Sequence, residues 1–184
     1  MKNILHNFRG EFIKETIQNQ LIYINIVIFL VCSILDVFSF MFQFNIGPLL
    51  NKLSLPTSFH LLIKQPWSFI SYMFLHDGFL HLLFNMLWLH IGGKLFLQYL
   101  NPKQLLSTYI LGGISGGLLF IISYNYIPLL EASIYKVHAL GSSASVLAIF
   151  IAIATFKPNY NIYLPFIGYT KLKYIAIIFI IFDV

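Results

Sequence analysis

Charge is what this sequence has least of. Of 184 residues, 11 are Lys or Arg and 6 are Asp or Glu, so charged side chains make up 9% of the chain, against about 25% in soluble domains. So few charged groups cannot cover the surface of a 21.2 kDa globule, and a water-soluble fold is excluded. Cysteine occurs once, as Cys32 inside an apolar run, which excludes an intrachain disulfide framework. The net charge of +5 comes from basic residues scattered along the chain rather than gathered on one stripe, so nucleic acid is not an expected partner. Long repeats, low-complexity tracts and the paired broken helices of transporters are absent from the sequence. What abounds is apolar surface: 59% hydrophobic residues, 17% aromatic, and a mean hydropathy of +0.83. The expectation is an all-α, multi-pass membrane protein, a one-domain helix bundle whose principal partner is the lipid bilayer.

The apolar runs set the expected spans. Residues 1–20 form a short segment of mixed charge, and the run at 21–44 ends in no small-residue cleavage pattern, so it reads as a spanning helix that opens a membrane domain over 21–184. About thirty residues follow, broken by Pro48, Pro56 and Pro66 yet rich in Leu, Phe and Trp67. Such a stretch is too interrupted to span and too apolar for a solvated loop, and is expected to lie in the membrane interface. Further runs of spanning length cover 79–99, 105–127 and 137–156, joined by short turns carrying Asn101-Pro102 and Lys157-Pro158-Asn159. From Tyr174 the chain has 11 residues left, about 16 Å of helix against about 30 Å of hydrocarbon. The reading is four full spans plus a truncated fifth, with the natural protein expected to continue past Val184 through one more span. Lys and Arg divide eight against three between the two faces: Lys2, Arg9, Lys14, Lys94, Lys103, Lys157, Lys171 and Lys173 oppose Lys52, Lys64 and Lys136. The N-terminal segment 1–20 is therefore expected in the cytoplasm.

Polar side chains at membrane depth are costly, so each is a functional candidate to be weighed against a structural use. Entering from the outer face at Asp77, the second span places His81 and Asn85 on one helix face, four residues apart, with His76 at the mouth. Entering from the same face at Val137, a helix would place Ser143 at a similar depth, about 9 Å down. The run Gly141-Ser142-Ser143-Ala144-Ser145 would alone read as a cap or a close helix contact, and His81 with Asn85 as a bridge between helices. Their shared depth is what brings a hydroxyl, an imidazole and a carboxamide together as a nucleophile with oxyanion donors. Other features read as structure. Gly112, Gly113, Gly116 and Gly117 suit a close helix contact, and Asp36 suits pairing or snorkelling. His90 is too deep toward the inner face, and His138, five positions from Ser143, is off its helix face.

The run Phe74-Leu75-His76-Asp77-Gly78-Phe79-Leu80-His81-Leu82-Leu83-Phe84-Asn85, with Gly92-Gly93 closing the span, resembles the second-helix signature of the rhomboid intramembrane serine proteases. Gly141-Ser142-Ser143-Ala144 resembles their Gly-x-Ser-x nucleophile motif, and the resemblance runs from about Trp67 to the end of the chain. It implies Ser143 as nucleophile, His81, Asn85 and the Ser143 amide as oxyanion hole, and His76 and Gly141 as motif residues. It implies a serine endopeptidase that needs no metal or cofactor and cleaves transmembrane segments of other proteins near the outer leaflet. A bacterial plasma membrane is the expected location. Two departures stand out: Trp67 is followed by Ser68 where the family commonly has Arg, and the family's general-base histidine lies on a sixth span, which residues 1–184 do not include. A non-catalytic rhomboid-like protein that binds membrane helices is the alternative.

Overall fold

Apolar helices dominate the computed structural model, which describes residues 12–131, 133–134, 137–164 and 168–183. Of the basic residues counted above, Lys2, Arg9 and Lys136 lie outside the described residues, as do positions 1–11 of the N-terminal segment and Val184. Among the described residues, three helices are long and apolar enough to cross a membrane: α1 (Ile17–Phe42), α5 (Phe79–Phe96) and α6 (Pro102–Tyr126). Their boundaries have local causes. Thr16 caps α1 by accepting the Asn19 N–H, and Gln43 ends it in the left-handed conformation at φ 53°. Asn101 and Gln104 close a reciprocal capping box around Pro102 at the start of α6. Large apolar side chains such as Phe40 and Phe42 on α1, or Phe79 and Leu80 on α5, point outward, as helices surrounded by lipid require.

Between α1 and α5 the chain makes the broken, apolar segment expected: α2 (Gly47–Leu53), β1 (Leu55–Pro56), α3 (Phe59–Lys64), α4 (Ser68–Ser71) and a 3₁₀ turn (Tyr72–Phe74). It is pinned to the bundle rather than adrift. The Trp67 indole donates to the Lys52 carbonyl at 2.8 Å, Asn125 donates to the Thr57 carbonyl at 2.7 Å, and Leu55 and Met73 are fully buried. Trp67 thus anchors this segment through its own N–H, with Ser68 buried beside it.

The fourth apolar run departs from expectation. Helix α8 covers Ser143–Phe156, and the residues before it are extended, with β2 (His138–Ala139) pairing antiparallel to β1 through Pro56↔His138 and Leu55↔Ala139. A 14-residue helix is about 21 Å long, short of a bilayer. After α7 (Pro128–Glu131) on the far side of α6, α8 runs through the middle of the fold, packed on α5, α6 and α9 (Leu172–Asp183). Its Ile149, Phe150 and Ile153 are fully buried. The hairpin of β3 (Asn161–Leu164) and β4 (Gly168–Lys171), with Asn161↔Lys171 at its base, leads into α9.

Gly112, Gly113 and Gly116 of α6 make the close helix contact expected of them, against α8, while Gly117 packs on Leu55 and Tyr72. A Cβ at Gly112 would sit 2.2 Å from the Ala148 Cβ, and one at Gly116 2.4 Å from the Ala144 Cβ. On α1, Gln18 bridges to the His90 ring and to its carbonyl, so His90 is hydrogen-bonded within the bundle. Asp36 is exposed on α1 and forms no ion pair among the described residues.

Candidate active site

Two chain segments meet where α5 and α8 begin. The His81 ring reaches across to Gly141, where a Cβ would lie 2.8 Å from both His81 Cε1 and Nε2. Only glycine fits: Gly141 has φ +116°, a conformation that L side chains rarely adopt, and its missing side chain is the space the imidazole fills. The Gly141 N–H donates to the Tyr72 carbonyl at 2.9 Å, which ties the serine-bearing turn to the interfacial segment. The two motifs are therefore adjacent in space, with Ser143 the first residue of α8 and not six residues inside a helix. That position has a chemical consequence. Val146 N–H to Ser142 C=O is the first bond of the helix, so the amides of its first turn have no intrahelical partner and carry positive dipole character beside the Ser143 hydroxyl.

The three serines separate by environment. Ser145 is fully buried and faces α6, where a Cβ on Gly113 would touch its Oγ, and that Oγ has no hydrogen-bond partner among the described residues. Ser142 is also fully buried, with its Oγ 3.4 Å from His76 Nε2. Ser143 alone is half-buried, and its hydroxyl makes no hydrogen bond among the described residues. The structure thus brings His76 to Ser142, and His81 to Gly141.

Asn85 is buried one turn below His81 and donates one N–H to the His81 carbonyl at 3.0 Å; a carboxamide has a second N–H to offer. Sequence reasoning passed over Asp77. Its carboxylate lies 2.7 Å from His81 Nδ1 and holds the ring with Nε2 turned toward Gly141. The i,i+4 spacing of Asp77 and His81 was the available signal. The hydrogen bond from His81 holds the Asp77 carboxyl below the usual aspartate range. Burial, and then the charge of His81 at a ring distance of 5.1 Å, pushes His76 down to about 4, so it is neutral at pH 7. His138 belongs to β2, so helical angles do not govern it. Among the described residues, no group of three or more His, Cys, Asp or Glu is placed to hold a metal ion.

The sequence model of a family described as Rhomboid domain matches residues 64–184. A curated protein of Arabidopsis thaliana named "Inactive RHOMBOID-like protein 8" is 29% identical over 118 residues, 64% of this chain and 30% of that protein. The chain therefore spans about a third of the length of the curated relative it matches. No solved structure matches it significantly.

Proposed function

The chain belongs to the rhomboid family, and on that premise we propose that it is the core of an intramembrane serine endopeptidase with Ser143 as nucleophile. One observation carries the reading. Of the three serines at the head of α8, Ser143 alone is open to a substrate, and it stands on the first turn of a helix whose preceding glycine is packed against His81. In this reading Ser143 Oγ attacks the scissile carbonyl of a transmembrane segment. The oxyanion is met by the Ser143 amide, by the free N–H of Asn85 and, in the imidazolium form, by His81 Nε2–H, the ring's other N–H being given to Asp77. The resemblance assigns the proton-accepting base to a histidine on a sixth span, which residues 1–184 do not include. The substrate helix must unwind locally, because a helical carbonyl is occupied by its own hydrogen bond.

Two observations favour a second reading, a rhomboid-like protein that binds membrane helices without cutting them. The relative is named inactive, and no imidazole is hydrogen-bonded to the Ser143 hydroxyl among the described residues. Labelling of the full-length protein in membranes with a fluorophosphonate, followed by peptide mapping, separates the two. Proteolysis predicts label on Ser143 that disappears in Ser143→Ala and persists in Ser142→Ala. Label on Ser142, or label retained in Ser143→Ala, contradicts it, and no label at all favours the binding protein.

A further inference from the structure

The opposite end of the bundle, away from the candidate active site, carries a feature that proteolysis does not use. Helices α5 and α8 end there while α1, α6 and α9 begin there, so the topology gathers Lys14, Lys94, Lys103, Lys157, Lys171 and Lys173 at one end. Glu15 is the only acidic residue beside them among the described residues. An open cleft of about 370 Å³ lies at this end, between the α5–α6 turn, the first turns of α6 and α8. Its lining changes character along α6. Asn101, Lys103, Gln104, Ser107 and Thr108 supply every polar group at the mouth, beside Phe96 and Leu100 of the α5–α6 connection, whereas Leu111 and Ala152 line the part farther along α6 and α8 with no polar group. Leu111 lies nine residues beyond Pro102, about 13 Å along the axis.

The donors at the mouth are uncommitted. Asn101 and Gln104 use their side-chain oxygens in the capping box, which leaves both NH₂ groups unused. Lys103 forms no ion pair, and Ser107 and Thr108 form no side-chain hydrogen bond, among the described residues. The neighbouring Lys157, by contrast, is stacked over Tyr99 and Phe156. A cluster of unpaired N–H and O–H donors with one free ammonium, opening onto an apolar strip that runs into the hydrocarbon, matches one kind of molecule: an anionic head at the surface joined to acyl chains below.

We propose that this cleft binds an anionic phospholipid of the leaflet on the basic side, its phosphate held by Lys103, Gln104 and Asn101 and an acyl chain laid along Leu111 and Ala152. Charge complementarity selects the head, since no carboxylate lines the cleft. The polarity gradient selects a lipid over a soluble phosphate. By the excess of basic residues this is the cytoplasmic leaflet, where anionic lipids attract such segments. The site is independent of whether Ser143 cuts anything.

The test is native mass spectrometry of the full-length protein in neutral detergent, titrated with dioleoyl phosphatidylglycerol, dioleoyl phosphatidylcholine or glycerol phosphate. The expected result is one retained phosphatidylglycerol per chain, in preference to phosphatidylcholine. Lys103→Ala should weaken that binding about five-fold, the factor that corresponds to about 1 kcal/mol per lysine at an anionic surface. Ser107→Phe, which fills the cleft while leaving the charge, should weaken it too, and Lys64→Ala at the other end should not. A circular-dichroism melt of each variant confirms that it is folded. Equal retention of the two lipids, full competition by glycerol phosphate, or unchanged binding in both folded cleft variants overturns the proposal.

Discussion

At the scale of single residues, the account rests on His81 and its neighbours. If His81 Nε2–H and Asn85 are oxyanion donors, removing either should leave a folded protein that cuts slowly. One such donor is worth about 2.7–4 kcal/mol, or 10²–10³ in rate. We expect His81→Ala and Asn85→Ala each to lower turnover of a fluorescent transmembrane substrate by that factor, measured beside a thermal melt. Asp77 acts one step removed. Its side chain is largely exposed, so the pair with His81 adds little to stability, and its effect should appear in the orientation of the ring. Asp77→Asn should shift the melt by less than about 1 kcal/mol, while kcat falls by less than a lost donor would cost and KM holds. His76 gives a stability signature. It is neutral in the folded protein down to about pH 4, whereas an unfolded histidine protonates near 6.5. Between those values the unfolded state binds the extra proton, so stability rises with pH across the window and is lost on acidification. The melting temperature should fall from pH 7 toward pH 4.5, and His76→Gln should fall less steeply. Most of this site was legible from residue types and spacing alone, because His81, Asn85 and the Gly141–Ser143 run are polar groups where polarity is expensive. Asp77 was missed because it lies just above the span, where a carboxylate needs no explanation.

At the scale of elements, the contact of α6 with α8 positions the serine. Ala144, the residue after Ser143, sits where a Cβ on Gly116 would intrude to 2.4 Å, and an alanine methyl cannot rotate out of the way. Gly116→Ala should therefore push the head of α8 outward, with a cost of about 1–3 kcal/mol for overpacking and a loss of turnover beyond what the melt explains. Gly78→Ala is the matched control, since nothing lies within 4 Å of its missing Cβ and its backbone is extended; its melt should be unchanged. The glycine spacing made this contact readable in advance. The extended course of the chain before Ser143 was not readable. Residues 137–156 carry no Lys, Arg, Asp or Glu and are small or apolar through most of their length, and periodicity cannot tell a buried strand from a buried helix in such a run. The deciding interaction is a pairing with Leu55 and Pro56, more than eighty residues earlier. The β3–β4 hairpin was likewise hidden, because its Tyr and Ile residues continue the apolar character of the spans around it.

At the scale of the whole molecule, scarcity of charge decided the class and the motifs decided the family. The helices expose their apolar side chains and gather their polar ones at two levels: the His81–Gly141 contact at one end and the basic cleft at the other. Length and hydropathy gave the order of the helices and the packing of neighbours, since both follow from the solvent. Chemistry at the site asks for more than placement, and the most direct measurement is cleavage itself. The full-length protein, reconstituted in lipid vesicles with a single-span substrate, should release fragments whose new ends map inside the membrane segment. Ser143→Ala should reduce that release by 10⁴-fold or more, while Ser142→Ala and Ser145→Ala retain it. Release that persists undiminished in Ser143→Ala, or a wild-type protein that binds the substrate and leaves it whole, contradicts the account.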